Sequence, residues 1–146
     1  MAKPRKPYSI STIRRRVDKK WSIAVRVRAG NKCEVCGLED ARLNAHHVIG
    51  RKVQAMGTLR WALQNGVSCC PRCHKYGATS FHVNPPVSME WFRMNRSDDY
   101  TYILFHYTDS LEGKDAAGVR EYLLWVESVM DKAIADSACN STPAVV

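Results

Sequence analysis

At 146 residues the chain has room for one domain with some appended helix, and it excludes two full-sized cores. The net charge of +8 is concentrated at one end: residues 1–32 carry 11 Lys/Arg against Asp18 alone, and the remaining 11 basic residues face 13 acidic ones, a net of −2. No run approaches the ~20 consecutive apolar residues of a membrane span. The basic first residues lead into no apolar signal-peptide core, so the expectation is a cytoplasmic protein with no membrane partner and a basic arm suited to gripping phosphates.

In chain order, residues 1–8 read as a basic tail, with Pro4 and Pro7 among Lys3, Arg5 and Lys6. From Ser9 to about Ala29, Ile10, Ile13, Val17, Trp21 and Ala24 recur at three- and four-residue steps, which predicts a helix or two. Arg14, Arg15, Arg16, Lys19 and Lys20 stand between them as a basic face, expected to track the sugar-phosphate backbone of a nucleic acid. Gly30-Asn31 breaks that pattern just before Cys33. Residues 43–48 suit a short strand, residues 50–57 a long irregular connection, and residues 66–68 a partner strand; Pro71 stands where a helix can begin. The order strand, loop, strand, helix over residues 43–78 predicts an α+β fold.

Pro85-Pro86 marks a boundary before a short helix through Trp91-Phe92. Val119, Leu123, Val126, Met130 and Ala133 form an apolar stripe on a helix from about residue 115 to 135, and residues 140–146 read as frayed. That stripe must be buried against the chain's own small domain or against a second copy; the small remaining core tilts the expectation toward a homodimer. Trp21, Trp61, Trp91 and Trp125 sit in apolar patterns and read as core anchors.

Six cysteines narrow the class further. Cys33/Cys36 and Cys70/Cys73 form two Cys-x-x-Cys pairs with 33 residues between them, and in a chain without a signal peptide such pairs argue for metal over disulfides. Each pair presents two thiolates from one tight turn, so together they suit a tetrahedral zinc site with no position left for water or substrate. The zinc is then structural. Cys69, out of register with Cys73, reads as a packed thiol, and Cys139 as a free one.

His46-His47 lies between the cysteine pairs and His74 follows Cys73 directly. Neighbours on a strand point to opposite faces, so His46 and His47 cannot both ligate one ion, but they can flank one phosphate as ligand and base. Arg51 and Lys52, just past the pair, are candidates for gripping that phosphate, with a solvated loop charge as the equal alternative.

The ordered segments Cys33-Glu34-Val35-Cys36-Gly37, Ala45-His46-His47-Val48-Ile49-Gly50-Arg51, Leu59-Arg60-Trp61, Leu63-Gln64-Asn65-Gly66-Val67-Ser68 and Cys70-Pro71-Arg72-Cys73-His74, trailed by His82-Val83-Asn84-Pro85 and Trp91-Phe92, resemble the HNH endonucleases, particularly small zinc-containing members common in phage genomes. The resemblance spans about residues 21–93. It implies a ββα-metal core with a four-cysteine zinc knuckle, flanked by N- and C-terminal helices: a basic arm over residues 1–20, the nuclease core over 21–95, a helical extension over 96–138 and a tail over 139–146.

The resemblance further implies that His46 and His74 ligate a catalytic Mg²⁺, Mn²⁺ or other divalent ion, that His47 is the general base, and that Asn65 braces the His47 segment. Ala78 stands where some members carry another histidine; His82 is the nearby substitute, or water completes the shell. The implied activity is hydrolysis of DNA to 5′-phosphate and 3′-hydroxyl ends, in recombination, packaging or branched-DNA processing. The main rival is a non-catalytic zinc-finger module that only binds nucleic acid, which leaves His46, His47, His74 and Asn65 unexplained.

Overall fold

A computed structural model of the chain describes residues 7–39 and 42–140. The first helix, α1 (Ile10–Arg28), begins at Ser9, whose side-chain oxygen accepts a hydrogen bond from the Thr12 backbone N–H at 3.2 Å, the preferred chemistry at a helix start. Its apolar face buries Ile13, Val17, Trp21, Ala24 and Val25. It ends where Gly30 (φ 68°) and Asn31 (φ 54°) occupy consecutive left-handed positions, which turn the chain toward the first cysteine pair. The basic tail read from the sequence falls mostly in residues 1–6, outside the described residues.

Two four-residue strands follow, β1 (Asn44–His47) and β2 (Gly66–Cys69), antiparallel with His46 opposite Val67 and His47 opposite Gly66. The long connection between them is not featureless. It carries two 3₁₀ turns, Thr58–Trp61 and Leu63–Asn65, and is tied to the segment before the last helix by the Gln54 side chain, which donates to the Tyr107 carbonyl at 3.0 Å, and by the Leu111 N–H, which donates to the Met56 carbonyl at 2.8 Å.

The helix expected to begin at Pro71 is a single wide turn over Arg72–Tyr76. The Gly77 N–H closes it on the Arg72 carbonyl at 2.7 Å, and the chain then doubles back, with the Phe81 N–H donating to the Cys73 carbonyl and the His82 N–H to the His74 carbonyl, both at 3.1 Å. This return carries His82 alongside His74.

Three helices complete the fold: α2 (Pro85–Asn95), with proline in its first turn, α3 (Ser97–His106) and α4 (Ala116–Asn140). The sequence reading placed α2 and most of α4. It placed α3 within a helical extension over 96–138 without setting it apart as a helix of its own, and it ended the last helix five residues early; Cys139 and Asn140, assigned to the tail, are helical, and residues 141–146 lie outside the described residues.

The apolar stripe of α4 packs on α1: Val119, Leu123, Val126 and Met130 share one buried cluster with Ile13, Val17, Trp21, Ala24 and Val25. The stripe that favoured a homodimer is therefore covered by the chain itself. Three ion pairs reinforce this contact, since the Arg16 guanidinium meets both Glu127 oxygens at 2.5 and 2.7 Å and Lys20 reaches Glu127 at 2.9 Å and Asp131 at 2.8 Å.

A second cluster, Leu59, Val67, Cys69, Phe81, Phe92 and Ile103, joins β2 to α2 and α3. Close approach explains Gly66 at the start of β2: a side chain there would come within 2.3 Å of Val25 and 2.9 Å of Trp21, so only glycine lets α1 lie against the hairpin. The boundary drawn between residues 20 and 21 falls inside α1, and α1 lies against both α4 and the hairpin.

Candidate active site

The turn after α1 and the end of β2 bring four sulfurs together. The Sγ atoms of Cys33, Cys36, Cys70 and Cys73 lie within 4.8 Å of one another, and Cys36 and Cys70 are 3.7 Å apart. The edge of a tetrahedron with Zn–S bonds of ~2.3 Å is about 3.8 Å, so the cluster fits a metal such as zinc with no position left open. Cys33 and Cys70 are buried with Leu43, while Cys36 reaches the surface. Cys69 is fully buried outside the cluster, and burial pushes its thiol far above the ordinary value, which leaves it a neutral packed group.

Glu34, inside the first cysteine pair, ties the knuckle to the rest of the fold. Its carboxylate accepts from the Ser68 backbone N–H at 2.7 Å and pairs with Arg96, between α2 and α3, at 2.5 Å. Arg96 also pairs with Asp99 at 2.5 Å.

Beside the knuckle, β1 divides its two histidines between its faces, as strand geometry requires. His46 turns to His74 and His82, and one ring nitrogen from each of the three lies within 4.8 Å of the others. The Nε2 atoms of His74 and His82 are 3.1 Å apart, close to the ~3 Å expected for two nitrogens about 2.0–2.1 Å from one cation. Phe81 covers the group, its ring centroid 4.5 Å from that of His46. Burial, then the neighbouring His74, His82 and His47, pushes His46 down to about 3; burial, then His82 and Lys75, pushes His74 down to about 4. Both rings are neutral at pH 7 and offer lone pairs, the form in which imidazole binds metal.

His47 lies on the other face of β1. Its ring stacks on Trp21 of α1 with centroids 3.8 Å apart and planes 14° from parallel. Its Nε2 is 2.9 Å from the Arg60 carbonyl, an acceptor only, so Nε2 carries the proton and Nδ1 is left with a free lone pair. Burial is the main influence that lowers His47 to about 4, with the Arg60 carbonyl acting against it. Asn65, fully buried, accepts from the Ile49 N–H at 2.7 Å and donates to the carbonyls of Ile49 and Leu59, both at 3.0 Å, holding the chain just after His47 to the chain just before Arg60.

These groups share one cleft of about 680 Å³, lined by Asp18, Trp21 and Ser22 of α1, by His46, His47 and Arg51, and by His74, Lys75, Phe81 and His82. Arg51 reaches the cleft, and Lys52 is exposed on the same turn. The basic face of α1 divides: Arg15 and Lys19 are exposed, whereas Arg16 and Lys20 are engaged by Glu127 and Asp131. The Nε of Arg14 is buried without a partner, and nothing in the structure accounts for it.

Residues 33–76 match the family model described as HNH endonuclease. This HNH-matching segment covers 44 of the chain's 146 residues. No curated protein and no solved structure matches the chain. The matched residues run from the first knuckle cysteine through both strands to the end of the turn that bears His74, and so contain the four cysteines, His46, His47 and Asn65.

Outside the HNH segment lie four cleft residues of consequence: Asp18, Trp21, Phe81 and His82. Sequence reasoning found His82 but gave Asp18 no role and read Trp21 only as a core anchor. Trp21 is indeed buried and packed, and one face of its indole is also the surface on which the His47 ring lies. Lys75 and the Arg60 carbonyl, within the segment, were also missed; the carbonyl leaves no mark in a side-chain pattern.

Proposed function

We propose that the chain is a metal-dependent DNA endonuclease in which His47 is the general base, His46, His74 and His82 hold the reactive divalent ion, and zinc in the four-cysteine cluster is structural. The observation that carries this reading is His47 itself: a neutral imidazole with one nitrogen fixed on the Arg60 carbonyl and the other free, in the same cleft as three convergent histidine nitrogens. A merely structural histidine pair has no need of that arrangement.

A phosphodiester resists attack because its charge repels nucleophiles and its alkoxide leaving group is poor. A divalent cation such as Mg²⁺ or Mn²⁺ offsets both when bound. The protein's own part is to place and deprotonate a water. Nδ1 of His47 takes the proton as the water oxygen forms its bond to phosphorus, the bond from phosphorus to the 3′ oxygen breaks, and that oxygen leaves as a 3′-hydroxyl after protonation from solvent, with the phosphate kept on the 5′ end. An entering phosphate brings negative charge to His47 and raises its basicity from the depressed value of the empty cleft toward the working pH. Arg51 and Lys75 at the cleft, with Arg15 and Lys19 on the exposed side of α1, supply phosphate contacts that add affinity without reading sequence.

Asn65 holds the two ends of this arrangement together by bonding both Ile49 and Leu59. One base serves one strand per engagement, so the chain nicks, and a double-strand cut or a resolved junction takes two sites or sequential nicks.

The test is incubation with supercoiled plasmid, a four-way junction and a linear duplex in Mg²⁺ or Mn²⁺. Cleavage of at least one substrate is expected, with 5′-phosphate ends. His47→Ala should lower the rate by about 10²–10⁴ while DNA binding stays nearly unchanged. Binding without cleavage of any substrate would put the chain among non-catalytic zinc modules instead.

A further inference from the structure

We infer that Asp18 of α1, outside the HNH segment, is a positioning residue for the base: through Arg60 it fixes the tautomer and aim of His47. The carboxylate of Asp18 receives both arms of the Arg60 guanidinium, Nε at 3.2 Å and Nη2 at 2.7 Å, and the same Oδ1 accepts from the Trp61 indole N–H at 2.8 Å. These bonds fasten two consecutive residues of the 3₁₀ turn Thr58–Trp61, and the Arg60 carbonyl in that turn accepts from His47 Nε2 at 2.9 Å. One helical turn along, Trp21 stacks flat on the His47 ring and donates from its indole to the Ala62 carbonyl at 3.0 Å, just past the same turn.

Asp18 and Trp21 are three residues apart and so share one face of α1. Together they form a clamp and a plate: Trp21 fixes the plane of the imidazole, and Asp18 fixes the carbonyl that decides which ring nitrogen carries the proton. The clamp answers a local need. Arg60 sits in an irregular connection of 18 residues between the strands, where backbone hydrogen bonds alone hold a carbonyl loosely. A carboxylate accepting a bidentate guanidinium has the geometry to pin it. Asp18 and Arg60 are both about four-fifths covered or close to it, with side-chain exposures of 24% and 15%, so the pair is shielded from much of the solvent screening that weakens surface ion pairs.

Asp18 also lines the cleft, where a free carboxylate would repel an incoming phosphate; committed to Arg60, its charge is neutralised in place. The inference rests on the nuclease reading for its kinetic readout alone, because the state of the His47 ring can be observed without any reaction.

The experiment uses the full zinc-loaded chain as wild type, Asp18→Asn, Arg60→Lys and the double variant, each checked for zinc content and a cooperative melt. Asn at position 18 can still accept from Trp61 but cannot receive the guanidinium fork. Nitrogen-15 spectra of the histidines are expected to show His47 protonated on Nε2 in the wild type and a mixture of tautomers in each variant. For cleavage, each single variant should lower kcat by about tenfold to a hundredfold with little change in KM for DNA. The double variant should lose no more than the worse single one, because both substitutions break the same link.

If Asp18→Asn fails to fold, Arg60→Lys carries the same readouts. A wild-type tautomer and kcat in the folded variants would overturn the inference, and so would losses that multiply in the double variant, or a rise in KM at unchanged kcat, which would make Arg60 a phosphate contact. A wild type that cleaves nothing would end the nuclease reading, while the His47 spectra would still decide the role of Asp18.

Discussion

The two ligand clusters stand side by side and are built to opposite ends. The four cysteines close on one another from two separate turns, two of them buried, with every donor of the set turned inward. The three histidines also converge, but they do so at the wall of an open cleft, and His82 is exposed. Four thiolates fill a tetrahedral shell and join two distant stretches of chain; three imidazoles leave positions for water and phosphate. Number and placement of donors thus separate a cluster that holds the fold from one that can do chemistry.

The largest loss is expected at the cysteines. About one zinc per chain should survive dialysis, and Cys73→Ser should remove both the zinc and the cooperative unfolding transition, because structural zinc contributes on the order of 10 kcal/mol to small domains. Circular dichroism with elemental analysis checks this; a folded, zinc-free variant would show that the apolar clusters suffice. The effect should spread to the histidines, since Cys73 and His74 are adjacent on one turn.

At the histidine cluster the effect should be smaller and of another kind. His74→Ala should leave zinc content and the melting midpoint close to wild type but raise the Mg²⁺ or Mn²⁺ needed for half-maximal cleavage at least about tenfold, the loss seen even for groups that only support a ligand. His82→Ala, at the exposed corner, should shift the same titration less. Equal shifts would mean that His82 is as firm a ligand as His74, and no shift for either would remove the cluster from the reaction.

The buried histidines also tie the stability of the fold to pH. His46, His47 and His74 are held at about 3, 4 and 4, against an ordinary 6.5 in the unfolded chain. Above pH 6.5 both states are neutral and these groups make stability no function of pH. As pH falls below 6.5, the unfolded chain takes up protons that the folded chain refuses, so stability declines down to the folded values near 3 to 4. Urea midpoints should be flat between pH 7 and 8 and should fall steadily from pH 6.5 to 5; His46→Gln should flatten that slope. A wild-type midpoint unchanged down to pH 5 would show that the rings are not shielded from water.

The sequence reading was strongest where chemistry is written in side-chain types at fixed spacing. The Cys-x-x-Cys pairs, the adjacent histidines and His74 were all legible, as were the apolar faces of α1 and α4, because a helical period of 3.6 leaves a mark in any amphipathic stretch. The helix after β2 was harder. Pro71 correctly signalled a start, but nothing in the residue pattern foretold that Gly77 would close it after one wide turn and send the chain back past His74. α3 was not set apart within the helical extension for a related reason, since only Ile103 of its ten residues is buried and its exposed Leu104 and Phe105 blur the period.

By itself the sequence determined the donors: four thiols in two tight turns, two histidines on opposite faces of a strand, an asparagine able both to give and to accept hydrogen bonds, and a basic first helix. These follow from local geometry, which spacing along the chain encodes directly. Tertiary structure decided which of the remaining residues serve the site. It turned the apolar face of α4 onto α1 instead of toward a second copy, drew Arg16 and Lys20 into that contact, and laid Trp21 on His47. It also brought Asp18 to Arg60 across 42 positions of chain. The physical reason is that such contacts depend on where a helix packs and on backbone carbonyls common to every residue, and neither leaves a signature at the positions involved.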